Sequence, residues 1–128
     1  MYSEQVLAHY ANPRNAGSIP DFSGRAVVRS PVDSDTVLVT LRIENNVIQD
    51  VKFKCMGCAV AIACASVATE IVLGKHVDEA YQITKQGVAE KLGGIPDYKM
   101  LCSNIAPEAI RKAIEDWRKR SADPAIPR

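Results

Sequence analysis

Four cysteines are the side chains in this sequence best suited to chemistry. Cys55 and Cys58 form a C-x-x-C motif, and Cys58 is predicted to lie where a strand ends and a helix begins. Cys102 occupies a similar position before the last predicted helix. A helix N-terminus carries partial positive charge and lowers the pKa of a thiol, which favours the thiolate that binds metal or attacks sulfur. Cys58 and Cys102 are therefore the leading candidates for a functional site.

The other cysteines and the two histidines have structural interpretations that compete with a functional one. Cys55 continues the apolar face of its predicted strand, so a core position and a metal-ligand position both stay open. Cys64 lies inside an apolar helical segment, where a free cysteine packs as a small hydrophobic residue. His9 and His76 have no Cys or His at ligand spacing, and we expect both to be solvated surface residues.

Composition and charge exclude several classes of protein. The chain has 128 residues, 24% charged and 47% hydrophobic. Its formal net charge of +1 gives no excess of positive charge that would indicate binding to nucleic acid or an acidic membrane. The longest apolar run, residues 59–67, is too short to span a bilayer, and the start of the sequence lacks the features of a secretory signal. We therefore expect a cytoplasmic protein with cysteines as thiols or metal ligands rather than disulfides.

Hydrophobic periodicity changes between the two halves of the chain. The first half alternates apolar and polar residues, as half-buried strands do, after a short helix that Ser3 caps. The predicted strands cover residues 25–30, 36–43 and 47–55. A largely buried helix is predicted over residues 59–73, then a helical stretch with an interruption near Gly87, then a last helix with Pro107 in its first turn.

This order of elements predicts the fold class. Strands followed by helices are typical of α+β domains. We predict a small three-stranded antiparallel sheet with helices packed on one face. The domain is expected to span residues 1–120, and residues 121–128, with two prolines and no periodicity, are expected to form a loose tail.

Three segments of the sequence, in order and spacing, resemble one known family. They are residues 2–17, with Asn-Pro-Arg-Asn at 12–15; residues 53–63, with Cys-Met-Gly-Cys; and residues 99–103, with Ala109 and Ile110 following. Each resembles a hallmark segment of the iron–sulfur cluster scaffolds of the IscU/NifU N-terminal type. The resemblance covers about residues 1–120 and identifies the chain as a divergent member of that family.

The resemblance implies a scaffold protein and not an enzyme. Such scaffolds assemble an iron–sulfur cluster, here expected to be [2Fe-2S], from iron and from sulfide that a cysteine desulfurase delivers, and pass it to acceptor proteins. Cys58 and Cys102 match the family's second and third cysteine ligands. Asp35 matches an aspartate linked to cluster lability and transfer, and Lys99 matches a lysine near the site.

Two departures from the family pattern alter the expected ligand set. Asp33 stands where the family has its first cysteine, and Leu101 stands where it has a histidine. A carboxylate oxygen is a harder ligand than a thiolate and holds an iron–sulfur cluster less firmly. We therefore expect iron or a cluster to bind through Cys58 and Cys102, with either Asp33 or Cys55 as a further ligand. Zinc is possible in the same site.

Three functions stay open on the sequence. The first is a cluster scaffold or carrier. The second is a paralogue that binds no cluster and acts as an adaptor or regulator of a cysteine desulfurase, and the third is a sulfur relay that takes a persulfide on Cys102 or Cys58. The family's chaperone-recognition stretch, L-P-P-V-K, corresponds to I-P-D-Y-K at residues 95–99. Loss of the second proline weakens the expectation that an Hsp70-type chaperone docks there.

Overall fold

The computed structural model describes residues 3–30, 35–96, 100 and 102–122, without the side chains of Cys102 and Ala122. Five helices and three strands lie within these ranges. In chain order they are α1 (Glu4–Ala11), β1 (Gly24–Arg29), β2 (Thr36–Glu44), β3 (Val47–Met56), α2 (Ala59–Val72), α3 (Val77–Ala80), α4 (Lys85–Lys91) and α5 (Cys102–Ala122).

The three strands form the predicted antiparallel meander, in the order β1-β2-β3. Asn45 and Asn46, which join β2 to β3, have φ angles of 54° and 62°. A tight hairpin turn requires positive φ at its central residues, and asparagine tolerates this conformation better than most residues do. The turn therefore fixes a register in which Val37 lies opposite Cys55 and Val39 lies opposite Phe53.

The helices pack on one face of this sheet, as predicted. The strand residues that face them are buried, including Val39, Leu41 and Val51. Helix α2 packs against β3, while α5 packs along β1 and β2 and also contacts α2. Helix α2 is buried nearly all round, since ten of its fourteen residues are buried. The core thus lies between the sheet and the α2–α5 pair, and it fixes where both helices begin.

Two local predictions about the helices are wrong. The break in the second helical stretch lies at residues 81–84, and Gly87 is inside α4, where its N–H donates to the Thr84 side chain that caps the helix. Helix α5 begins at Cys102, so Pro107 lies within the helix rather than in its first turn. Proline lacks the N–H that would bond within the helix, and the neighbouring residues Ile105 and Ala106 are buried in the core.

The described helices have two further features that bear on the sequence analysis. Helix α5 continues through Ser121 to Ala122, past the predicted domain limit, and the tail from residue 123 lies outside the described residues. In the ranges that the structure describes, no helix combines the length and the apolar character needed to cross a bilayer.

Candidate functional site

The turn between β3 and α2 carries the C-x-x-C motif. Strand β3 ends at Met56, the chain bends at Gly57, and Cys58 is the N-cap residue of α2 with extended backbone angles. The Cys58 carbonyl accepts the first helical hydrogen bond, from the N–H of Ile62. The Cys58 side chain makes no capping bond to the helix. This arrangement confirms that Cys58 lies at the predicted strand-to-helix junction.

A carboxylate that immediately precedes β2 faces this thiol. The Cys58 Sγ donates to Oδ2 of Asp35 over 3.7 Å, and Asp35 is only 9% exposed. Asp35 is held at the base of the β1–β2 connection, because its carbonyl accepts a 2.8 Å hydrogen bond from the N–H of Ser30. The absence of a side chain at Gly57 leaves room for the carboxylate, since a β-carbon there would lie 2.8 Å from Asp35 Cγ.

Cys55 lies on the core-facing side of β3, close to this pair. It is half-buried and packs against the hydrophobic core, in register with Val37. Burial raises the pKa of the Cys55 thiol to about 12, and the negative charges of Asp35 and Cys58 act in the same direction. A thiol with so high a pKa stays protonated at neutral pH. Cys55 therefore lies close to the site, but its thiol has low intrinsic reactivity.

The Asn-Pro-Arg-Asn segment is hydrogen-bonded to the two elements that flank the C-x-x-C turn. Phe53, two residues before Cys55, donates its N–H to the Asn15 carbonyl and accepts from the N–H of Gly17, at 3.0 and 2.8 Å. The N–H of Arg14 donates to Ser66 Oγ in α2 over 2.8 Å. The segment thus joins the end of β3 to the middle of α2, and so restrains the two elements that carry the cysteines.

The remaining residues of the predicted site are only partly within the described structure. Asp33 and Lys99 lie outside the described residues, as does Leu101, while Cys102 is described as the first residue of α5 without its side chain. Among the residues that the structure does describe, no three His, Cys, Asp or Glu side chains form a group that could hold a metal ion. The described part of the site is therefore the pair of Cys58 and Asp35, with Cys55 beside it.

The direction of α5 indicates where its first turn should lie. Along β1, Phe22 stacks with Arg120 and the N–H of Arg25 bonds to Asp116, so α5 runs antiparallel to the strand. A strand advances by ~3.3 Å per residue and a helix by ~1.5 Å. Traced back over this length, the start of α5 at Cys102 is expected near the end of the sheet that carries Asp35.

Two predictions about individual side chains are confirmed, and one is wrong. Cys64 is fully buried in α2, and His76 is half-exposed, where its ring accepts from the N–H of Asp78 at the start of α3. His9, in contrast, is not a solvated surface residue, because its side chain is only 13% exposed.

His9 belongs to a hydrogen-bonded cluster that joins α1 to α2. Its Nδ1 shares a 2.7 Å hydrogen bond with Ser66 Oγ, and its Nε2 lies 3.4 Å from Oε1 of Glu70. Burial lowers the pKa of His9, opposed by Glu70 and reinforced by Arg14. Sequence reasoning missed this cluster, because the spacing of Ser66 and Glu70 on one face of α2 says nothing about which residue of a distant helix meets them.

Comparison with known proteins places the chain in a family. Residues 1–124 match the family model described as NifU-like N terminal domain. The chain is 46% identical over 121 residues to "Iron-sulfur cluster assembly scaffold protein IscU 1" of Archaeoglobus fulgidus, an alignment that covers 94% of this chain and 79% of that protein. It is 39% identical over 123 residues to "Iron-sulfur cluster assembly scaffold protein IscU" of Escherichia coli, covering 93% of this chain and 95% of the relative.

The fold agrees with that placement. The crystal structure of a NifU-like protein (N-terminal) from Brucella abortus superposes with a TM-score of 0.79 at 18% identity, covering 91% of this chain and 94% of that one. The putative iron-sulfur cluster assembly scaffold protein for the SUF system from Fervidobacterium islandicum superposes with a TM-score of 0.73 at 22% identity, covering 88% and 96%. On the family model and the sequence identity to the two relatives, this chain belongs to the NifU-like N-terminal domain family.

Proposed function

We propose that this chain is an iron–sulfur cluster assembly scaffold or carrier, whose cargo is iron or a cluster bound beside the β3–α2 turn. The observation that carries the proposal is the contact between Cys58 Sγ and the buried Asp35 carboxylate. A thiol at a helix N-cap next to a carboxylate provides one soft and one hard ligand for iron at the same place. Relatives with 39–46% identity carry the name of this function.

The proposed ligands are Cys58 and Cys102, with Asp33 or Cys55 as a further ligand. The run of α5 antiparallel to β1 supports Cys102, because it brings the start of that helix toward the Asp35 end of the sheet. Asp33 is proposed because it lies two positions before Asp35 in the sequence, and the Asp35 carboxylate faces Cys58. Asp35 is proposed to modulate cluster release, and Lys99 to lie near the site.

Cys55 enters the ligand set only if the turn changes its conformation. As described, Cys55 packs against the core, and no three-ligand group exists among the described side chains. Gly57 gives the turn the backbone freedom that such a rearrangement requires. Two thiolates and a carboxylate would hold zinc as well as iron, which is why zinc is proposed as an alternative occupant.

The proposed biochemical setting follows from the scaffold function. We propose that a cysteine desulfurase supplies the sulfide, that acceptor proteins receive a [2Fe-2S] cluster, and that the chain catalyses no reaction of its own. We expect this exchange to take place in the cytoplasm. The replacement of the second proline in the 95–99 stretch weakens the case for docking of an Hsp70-type chaperone.

Anaerobic reconstitution tests this function against its two alternatives. The reduced protein is incubated with ferrous iron and sulfide, desalted, and analysed by visible absorption and by iron and acid-labile sulfide content. A scaffold retains both iron and sulfide and shows a charge-transfer absorption spectrum. An adaptor of the desulfurase retains neither but binds the desulfurase in a pull-down, and a sulfur relay acquires a persulfide mass on Cys58 or Cys102 without iron. Either of the last two results would contradict the proposed function.

A further inference from the structure

The C-x-x-C turn has a feature that cluster binding does not explain. Cys55 and Cys58 are both half-buried, both pack against the same core, and stand on either side of the bend at Gly57. Asp35 lies against this turn, where it accepts from Cys58 and fits against Gly57. A residue without a side chain in the bend leaves the backbone free to bring the two sulfurs together.

Both cysteines are also partly exposed to solvent. Cys55 lines an open groove of about 490 Å³, whose other lining residues include Pro13, Ala16 and Ile62. Cys58 is partly exposed at the start of α2. The groove is mostly apolar and large enough for a small molecule to approach the β3–α2 turn. Cys64, in contrast, is fully buried and has no such access.

We propose that Cys55 and Cys58 form a reversible intrachain disulfide, in a reaction with a low-molecular-weight disulfide such as oxidised glutathione. The Cys58 thiolate attacks one sulfur of the oxidant, which forms a mixed disulfide and releases one thiol. Cys55 passes its proton to the glutathione thiolate released in the first step and attacks the Cys58 sulfur, held beside it in the mixed disulfide. This forms the Cys55–Cys58 bond and releases the second glutathione. In total the two protein thiols lose two electrons and two protons, and one small disulfide is reduced to two thiols.

The consequence of this reaction for cargo rests on the proposed function, whereas the disulfide itself does not. A sulfur engaged in a disulfide is no longer a thiolate and cannot ligate iron. Oxidation therefore removes Cys58 from the site and gives a scaffold that accepts cargo only under reducing conditions. A dithiol reductant restores the site by the reverse exchange.

The test begins with metal-free, fully reduced protein in its native state. It is incubated with oxidised glutathione, quenched with acid, and analysed by intact mass and peptide mapping. Wild type and the control Cys64→Ala are expected to lose two hydrogen atoms through a bond between Cys55 and Cys58, with an unchanged circular dichroism spectrum. Cys55→Ala is expected to stop at the glutathione adduct on Cys58, and Cys58→Ala to form no intrachain disulfide.

Three results would overturn the proposal: wild type that stops at the glutathione adduct, a disulfide that maps to Cys58–Cys102, or a Cys55–Cys58 bond that forms only after unfolding in urea. Reconstitution with iron and sulfide before and after reduction then tests the consequence. If reduced protein binds no cluster, the proposed function fails while the mapped disulfide stands. If oxidised protein binds as much iron as reduced protein, the regulatory consequence fails instead.

Discussion

Gly57 and Asp35 fit against each other so closely that a β-carbon at position 57 would lie 2.8 Å from Asp35 Cγ and 3.0 Å from its Oδ1. Glycine at this position therefore does more than permit a bend in the chain. It admits the carboxylate that faces Cys58, so the spacing of the C-x-x-C motif and the position of Asp35 depend on one another.

Gly57→Ala is expected to displace the Asp35 carboxylate from Cys58 and to lower the free energy of unfolding by about 1–3 kcal/mol, the usual cost of overpacking. Urea unfolding measures the stability, and the rate of cluster loss from reconstituted protein measures the effect on the site. The matched control is Gly87→Ala in α4, where a β-carbon would meet only Thr84 Oγ1, at 3.3 Å. Equal effects of the two substitutions would show that Asp35 does not depend on Gly57.

The Cys55 thiol is expected to resist alkylation in the native protein. Burial, with Asp35 and Cys58, raises its pKa to about 12, so little thiolate exists near neutral pH. Asp35→Asn removes one of these causes and is expected to lower the pKa of Cys55, although burial, the largest cause, keeps it raised. Iodoacetamide labelling over a pH series, resolved by peptide mass, provides the measurement. Labelling of native Cys55 at pH 8 as fast as in unfolded protein would refute this account.

Acidification is expected to destabilise the contact between α1 and α2 through His9. Burial lowers the pKa of His9 in the folded state, so the neutral ring is favoured there. The resulting contribution to stability is fully present above the unfolded-state pKa of about 6.5 and is lost as the pH falls through the lower folded-state value. Glu70 opposes the shift, and Arg14 reinforces it.

Urea unfolding at pH values from 7.5 to 5 measures this dependence. His9→Asn keeps a polar atom near Ser66 Oγ but cannot titrate, and it is expected to flatten the pH profile. His76→Asn, at the exposed start of α3, is the matched control, because it removes the other histidine without touching the contact between α1 and α2. If the free energy of unfolding of the wild type rose on acidification over this range, it would contradict the prediction made for a buried neutral histidine.

Asp33→Cys is expected to lengthen the lifetime of a reconstituted cluster, because it replaces a carboxylate with the softer thiolate. The decay of visible absorption in the presence of a chelator measures that lifetime. Asp33→Ser is the control, since it removes the carboxylate without adding a thiol. Unchanged yield and lifetime in Asp33→Cys would mean that residue 33 is not a ligand or that Cys55 already fills the role.

The sequence predicts the sheet and α2 well because their signals are local. The alternation through β2 and β3 and the uninterrupted apolar segment of α2 each report burial within one element. The sequence misplaces the break at residues 81–84 because Gly87, a weak helix former, is a stronger breaking signal than Thr84 is a starting one. The structure shows that Thr84 caps α4 through its hydrogen bond with the N–H of Gly87.

The site shows the same limit of sequence reasoning. The strand-to-helix position of Cys58 follows from the local pattern, but the contact with Asp35 joins residues 23 positions apart and depends on strand register. The burial of His9 likewise depends on Ser66, 57 positions away. Nothing in the spacing of these residues predicts which pairs meet, because packing between elements decides it.

The most direct measurement of the central claim is the iron content of two cysteine variants after identical anaerobic reconstitution. Cys58→Ala removes the thiol that faces Asp35, while Cys64→Ala removes a buried thiol six residues further along α2. Both variants are first shown to be folded by circular dichroism. The account predicts that Cys58→Ala loses the bound iron and sulfide and that Cys64→Ala retains wild-type amounts. Wild-type iron and sulfide in Cys58→Ala would contradict it.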